Sequence, residues 1–176
     1  MKSSARTFLI LTLLAATPVT SQSLPRRQDD PIPPQVETMY ESGLEFLADS
    51  QGENGAWQDG TGSEPGVVGL CVMAFLAHGE DPNHGRFSQN IKRGLDYILS
   101  RQQGSNGYIG SSMYNHGFAT LALAESYGMV RDERLAKGLQ DAVDLILNAQ
   151  KRNPRGAWRY SPESPDADTT VTGCQL

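Results

Sequence analysis

Apolar residues recur at helical spacing in three segments of the chain, and each of these segments keeps one polar face. In the first segment the apolar positions are Val36, Met39, Tyr40, Gly43, Leu44 and Leu47. In the second they are Phe87, Ile91, Leu95, Ile98 and Leu99, and in the third Leu135, Leu139, Ala142, Val143 and Ile146. Stripes of this width predict amphipathic helices that bury one side and leave the other in water.

Two segments that lie between the striped ones, residues 65–79 and 113–128, are apolar on nearly every side. Each carries an early and a late glycine: Gly69 and Gly79 in one, Gly117 and Gly128 in the other. A helix that is apolar all round has to be covered on most sides, so these segments are predicted to be inner helices. The late glycines suit the left-handed backbone conformation that ends many helices.

Striped and apolar helices alternate along the chain, and this alternation predicts two layers of helical hairpins. A fifth helix is predicted from Glu133 to Gln150, and the first turn of a sixth near Thr169. If the layers curl, they form an α/α toroid. A flat solenoid of helix pairs is the alternative, but its inner helices would normally carry a polar binding face. The predicted fold class is all-α, an α/α toroid repeat forming a partial ring of about five to six helices.

The ends of the striped helices repeat a short pattern at a period of about fifty residues. Eight residues after a small residue comes a glutamine, followed by a glycine and, two residues later, by a large side chain. The copies are Gln51, Gly55 and Trp57; Gln102, Gly107 and Ile109; and Gln150, Gly156 and Trp158. We predict a structural turn in which the glutamine ends the outer helix, the glycine permits the reversal and the large side chain packs over it.

These turns resemble the QW motif of the prenyltransferase and squalene-cyclase repeat superfamily, whose members fold as α/α toroids. The resemblance extends over residues 36–176. The basic residue that usually precedes the small one is present only as Arg93; Ser42 and Asp141 replace it elsewhere, and the second turn lacks Trp. Because the closed ring of that family has more helix pairs, the resemblance implies that this chain is the N-terminal part of a longer protein or a truncated gene product.

The segment Asp166-Ala167-Asp168-Thr169-Thr170 is similar to the Asp-x-Asp-Asp-Thr acid motif of squalene-type cyclases. The resemblance implies that Asp168 is a proton donor and that Asp166 is its neighbour. In that role the pKa of Asp168 would be raised by apolar surroundings and by the like charge of Asp166. Thr169 replaces the third aspartate of that motif. The alternative is helix capping, in which Asp168 or Thr169 binds the first free N–H groups of the next helix.

Alignment on the inner glycines 69, 117 and 173 places Glu64, Ser112 and Asp168 at equivalent positions, five residues before each glycine. These side chains are predicted to lie around one rim of the cavity, with Tyr114 and His116 nearby. Together they could orient the polar head of a ligand, and His116 could carry protons. A histidine at a helix start is also commonly a structural residue with satisfied hydrogen bonds.

The start of the chain and its net charge limit the classes of partner. Lys2, Arg6 and the apolar run 8–16 indicate a signal peptide at residues 1–21; a short membrane anchor is the alternative, but the run is too short to span a bilayer. Residues 22–35 are polar and proline-rich, which predicts a tether before the repeat region at 36–176.

The formal net charge of −5 argues against nucleic acid as a partner. We expect an exported protein, periplasmic or secreted, whose mature chain has no transmembrane span.

The two cysteines, Cys71 and Cys174, leave their pairing open. Export would permit a disulfide, whereas their apolar helical surroundings favour free thiols. No His/Cys pair has zinc-ligand spacing, and no Gly-rich phosphate loop or Gly-x-Ser-x-Gly elbow occurs, so neither a metal nor a cofactor is expected.

The expected function is binding, in the toroid cavity, of an apolar or isoprenoid-like ligand or of a protein partner. Two enzymatic alternatives remain on the same fold. One is a terpene-cyclase-like isomerase that uses Asp168 as general acid, and the other is a polysaccharide-active enzyme that uses Glu64 and Asp168.

Overall fold

The computed structural model describes residues 32–58, 60 and 62–176. These residues form six helices: α1 Pro34–Ser50, α2 Pro65–His78, α3 Ser88–Ser100, α4 Met113–Ser126, α5 Glu133–Arg152 and α6 Thr169–Gly173. The described chain has no β-strand, only the isolated bridges Gln102 to Ile109 and Tyr127 to Val130. The all-α prediction is confirmed, and the observed helix bounds lie close to the predicted ones.

The predicted signal peptide, residues 1–21, and residues 22–31 of the predicted tether lie outside the described residues. Helix α1 begins at Pro34, so the last two residues assigned to the tether belong to its first turn. A proline suits this position because the first N–H groups of a helix have no intrahelical acceptor. None of the helices seen between residues 32 and 176 is both long enough and apolar enough to cross a bilayer.

The described helices pack against one another along their apolar sides. Helix α2 packs along α4, while α3 packs against α2 and α5 packs against α4. Helices α3 and α5 bury the stripes that the sequence predicts, including Ile91 and Ile98 in one and Leu135 and Ala142 in the other. The remaining sides of these two helices face water.

The inner helices approach each other through glycine. A Cβ atom added at Gly69 would lie 2.6 Å from the carbonyl oxygen of Phe118 in α4. One added at Gly117 would collide with the carbonyl oxygen of Cys174. Only a residue without a side chain permits backbones to pack this closely.

Burial falls short of the prediction at the N-terminal edge of the stack. The stripe of α1 buries only Leu44, and Val36 and Met39 remain 48% and 74% exposed. In α2, Val68, Val72 and Phe75 are fully buried, but Leu70 is 49% exposed. Helix α2 packs mainly against α4 and α3, whereas α1 contacts α2 only lightly, so parts of both α1 and α2 stay exposed.

Candidate ligand groove and rim

The three glutamine turns share one hydrogen bond. The side-chain Nε2 atoms of Gln51, Gln102 and Gln150 donate to the carbonyl oxygens of their turn glycines at 2.9, 3.1 and 3.1 Å. Those glycines, Gly55, Gly107 and Gly156, have φ angles of 84°, 77° and 64°. The left-handed backbone explains why glycine recurs there.

The tryptophans of the first and third turns tie the turn back to the outer helix. The indole N–H of Trp57 donates to the carbonyl of Leu47 at 2.7 Å, and that of Trp158 to the carbonyl of Ile146 at 2.9 Å. Both rings are buried, with about one twentieth of their surface exposed. Their contacts are those of structural residues.

The three rim positions are the N-caps of the inner helices. Glu64 precedes α2, Ser112 precedes α4 and Asp168 precedes α6. Glu64 makes no capping bond with its side chain, and its carboxylate instead accepts a hydrogen bond from Ser111 Oγ at 3.1 Å. Ser112 Oγ accepts from the backbone N–H of Asn115 at 3.4 Å. The sequence alignment therefore identified equivalent positions, and two of the three side chains act as caps.

Asp168 is held as a charged cap. Its Oδ1 accepts hydrogen bonds from the Thr170 hydroxyl at 2.6 Å and from the backbone N–H groups of Thr170 and Val171 at 2.9 and 3.0 Å. The hydroxyl bond of Thr170, followed by the backbone bonds, holds the pKa of Asp168 below its usual value. A proton donor to an alkene needs the opposite shift, so these contacts favour the capping alternative.

Asp166 does not pair with Asp168. Its carboxylate is 61% exposed and lies 3.9 Å from both Arg155 Nε and Arg159 Nη1. Its backbone carbonyl accepts a hydrogen bond from the buried side chain of Asn153 at 2.8 Å. These contacts fix the loop before α6.

His116 is fully buried and has no open nitrogen. Its Nδ1 accepts a hydrogen bond from the backbone N–H of Ile109 at 3.1 Å, and its Nε2 donates to the carbonyl of Ala142 at 3.1 Å. Burial lowers the pKa of His116 to about 4, so the neutral ring is the stable form near neutral pH. His116 therefore has the structural role, and it lies in the core instead of at the predicted rim.

Tyr114, the other residue predicted at the rim, lies beside the start of α6. Its hydroxyl contacts the Thr170 hydroxyl, and its ring lies 6.0 Å from that of Tyr160. Tyr114 thereby links the N-terminal end of α4 to α6. Thr170 thus links Tyr114 to the Asp168 cap, while Glu64 is bonded to Ser111.

An apolar groove of about 400 Å³ lies between α4, α5 and the end of the chain. Its lining includes Phe118, Leu121, Val143, Leu147 and Leu176. Leu121 and Leu147 are 43% and 44% exposed, so the apolar surface is open to solvent. A volume of this size suits a small organic molecule.

Gln175 supplies a polar group in this apolar lining. Its Nε2 donates to the carbonyl of Met113 at 2.8 Å, but its Oε1 is buried with no hydrogen-bond partner among the described residues. A buried oxygen without a hydrogen-bond donor carries a free-energy cost. Local sequence patterns do not indicate this groove, because its lining comes from three helices far apart in the chain.

Cys71 and Cys174 are both free thiols in the structure. Burial raises the pKa of Cys71 to about 11 and also raises the pKa of Cys174, so both favour the unreactive thiol form. Among the residues from 32 onward that are described, no three His, Cys, Asp or Glu side chains are grouped to hold a metal ion.

Comparison with known proteins adds no relative: no family model, curated protein or solved structure matches the chain.

Proposed function

We propose that the chain is an exported binding protein that holds an apolar, isoprenoid-like molecule in the groove between α4 and α5, without catalysing a reaction on it. The apolar lining of the groove carries this proposal. The repeated glutamine turns, which resemble those of the squalene-cyclase superfamily, support a partial α/α toroid as the scaffold.

The unpartnered oxygen of Gln175 favours ligands that carry a hydrogen-bond donor, such as a hydroxyl group. If the Gln175 side chain turns so that its buried oxygen faces the groove, a ligand with a hydroxyl head could donate a hydrogen bond to this oxygen while its hydrocarbon part contacts Phe118 and Leu121. An isoprenoid alcohol should therefore bind more tightly than the corresponding hydrocarbon. Catalysis by Asp168 is not part of the proposal, because its carboxylate caps α6.

The test measures binding of farnesol, with farnesene as the hydrocarbon comparison, to the purified protein by calorimetry or by intrinsic fluorescence. We expect saturable binding of farnesol, at least tenfold weaker binding of farnesene, and no turnover of either compound. Leu121→Gln should weaken farnesol binding at least tenfold, because it places a polar group in the apolar lining.

The matched control is Leu70→Gln, which changes an equally exposed leucine outside the groove. It should bind farnesol as the unmodified protein does. Equal effects of the two substitutions, or an absence of saturable binding, would overturn the proposal. Turnover that disappears in Asp168→Asn would instead favour the enzymatic alternative.

A further inference from the structure

We propose that the chain has a second ligand site, a pocket of about 380 Å³ that binds a small carboxylate with a short apolar chain. Its lining comes mainly from α3, from residues 129–132 between α4 and α5, and from the first turn of α5. We call it the α3–α5 pocket. It shares no lining residue with the groove between α4 and α5, so it can be tested whether or not the groove binds a ligand.

Apolar side chains form one part of the pocket lining. They are Leu95, Leu99, Met129, Val130 and Leu135. Leu95 and Leu135 belong to the core and are only 4% and 1% exposed, whereas Met129 is 41% exposed. Hydrocarbon that enters the pocket would therefore cover apolar surface that is in contact with water.

The two acidic side chains of the lining both bind Arg134. Arg134 Nη2 lies 2.6 Å from Asp132 Oδ2 and 2.9 Å from Asp96 Oδ1. Its Nε donates hydrogen bonds to both carboxylate oxygens of Asp132, at 3.2 and 3.1 Å. The hydrogen bonds from Arg134 hold the pKa of Asp132 below its usual value, so this acid stays charged. Both carboxylates are therefore directed at Arg134 and not at the remaining cations of the lining.

Lys92 of α3 and Arg131 of the loop are those remaining cations. Neither side chain forms an ion pair or a hydrogen bond with the residues that the structure describes. Asp96 lies one helical turn after Lys92, but its carboxylate contacts Arg134. With three basic and two acidic side chains, the lining has a net charge of +1. The charges of Lys92 and Arg131 repel each other, and an anion in the pocket would offset both.

An anion with an apolar part complements this combination of charge and apolar surface. The planar guanidinium group of Arg131 can donate two parallel hydrogen bonds to a carboxylate, while Lys92 supplies a further positive charge. The hydrocarbon part of the ligand would contact Leu95 and Met129. A pocket of about 380 Å³ limits that part to a short chain.

Two simpler classes of ligand match only one part of the lining. A neutral alcohol of the same length covers the apolar side chains but leaves Lys92 and Arg131 without an acidic partner. A small hydrophilic anion such as acetate pairs with these cations but leaves the apolar surface in water. Binding that requires both the charge and the hydrocarbon is therefore the property that identifies the site.

The first measurement compares octanoate, 1-octanol and acetate by isothermal titration calorimetry of the full chain at neutral pH. We expect saturable binding of octanoate and at least tenfold weaker binding of the other two compounds. The affinity for octanoate should also fall as sodium chloride is added, because salt screens the charges of the pocket. An absence of saturable octanoate binding, or equal affinity for octanol, would overturn the proposal.

The second measurement removes the two unpaired charges one at a time. Lys92→Gln and Arg131→Gln should each weaken octanoate binding at least fivefold. Both variants should fold, because neither side chain is bonded to another residue of the described chain. The matched controls are Lys151→Gln and Arg152→Gln, which remove the same kinds of charge at the end of α5, outside the pocket. They should bind octanoate as the unmodified protein does. Equal losses in the controls would mean that cations anywhere on the surface attract the anion, which would contradict a defined site.

Substitutions of apolar residues distinguish this pocket from the groove between α4 and α5. Met129→Gln, in the pocket, should weaken octanoate binding at least threefold, whereas Leu121→Gln, in the groove, should leave it unchanged. The opposite result would assign octanoate to the groove and overturn the proposal. Far-UV circular dichroism checks that every variant folds, so that a loss of affinity can be attributed to the site.

Discussion

Helices α1 and α3 have the same sequence pattern and very different surroundings. Both are outer helices with a glycine, Gly43 or Gly94, eight residues before the glutamine that follows the helix or its cap. Helix α3 buries six residues, including Ile98, whereas α1 buries only Leu44. A Cβ at Gly94 would lie 2.6 Å from Val72, while the space around Gly43 is open to the described chain.

This difference shows what an amphipathic stripe specifies. The stripe determines which side of a helix can be buried, but a neighbour has to be present for burial to occur. In stacked repeats most of the stability comes from such neighbour contacts. We therefore expect α1 to open before α3 in partial unfolding.

The largest effect should come from truncating the buried stripe of α3. Ile98→Ala should lower the free energy of unfolding by about 2–5 kcal/mol, because it leaves a cavity in a closely packed site. Met39→Ala, in the exposed part of the α1 stripe, should change it by less than about 0.5 kcal/mol. Guanidinium unfolding of both variants measures the contrast. Similar losses would show that α1 is packed as fully as α3.

The interior of the stack should also lose stability in acid through His116, which joins α4 to α5. Its pKa is lowered to about 4 from 6.5, so the folded state prefers the neutral ring. The unfolded chain binds the proton first, and stability is full above pH 6.5 and declines as the pH falls towards 4. The loss is on the order of 3 kcal/mol. Urea unfolding across this range measures it.

His116→Gln is the control for that titration, because other groups also titrate in acid. Its stability should be lower at neutral pH and should fall less steeply between pH 6.5 and about 4. A slope equal to that of the unmodified protein would contradict the assignment of the pH dependence to His116.

A smaller contrast is expected between two glutamines of the same motif. Gln102→Ala removes two hydrogen bonds, one of which crosses to α5, and should cost about 2 kcal/mol at about 1 kcal/mol for each bond. Gln150→Ala removes one exposed bond within its own turn and should cost less than about 1 kcal/mol. Thermal unfolding of the two variants ranks their losses of stability. The reverse order would mean that the hydrogen bond from Gln102 to α5 adds nothing to the stability.

The smallest expected effect concerns the edge, where His78 joins α2 to α1. Its Nδ1 lies 3.1 Å from Glu80 Oε1 and its Nε2 lies 3.4 Å from Glu37 Oε1, while its ring stacks on Tyr40. The bond to Glu80, assisted by Glu37, raises the pKa of His78 in the folded state. Its stabilising contribution is therefore present below pH 6.5 and is lost as the pH rises through the raised folded value.

Hydrogen exchange of the α1 amides measures this effect. Protection of α1 should decrease with rising pH, after correction for the intrinsic exchange rate, while protection of α3 stays constant. Glu37→Gln should reduce the pH dependence in α1, because it removes the carboxylate that α1 presents to His78. A parallel change in α3 would show that the edge does not open separately.

Much of the fold followed from local features of the sequence. The stripe of α5 and the all-round apolar character of α2 predicted their bounds, and the left-handed Gly79 ends α2 at the predicted place. The site was less predictable. Asp168 caps α6 and Tyr114 contacts Thr170 at the start of that helix, but His116, predicted beside them, points into the core and bonds to Ala142.

The groove could not be predicted, because Leu121, Leu147 and Leu176 look like ordinary apolar residues in three separate segments. Their shared feature is that they line one open space, which depends on how segments distant in the sequence pack together. The exposure of Met39 could not be predicted either, because its sequence context matches that of a buried residue.

The sequence by itself determined the helices, their caps and the turns, since these depend on backbone bonds and side chains within a few residues of each other. The tertiary structure decided which stripes are covered, which histidine is neutral and where an apolar surface stays open. Burial and pKa depend on atoms brought close from distant parts of the chain, so equal local patterns, as in α1 and α3, can have unequal environments.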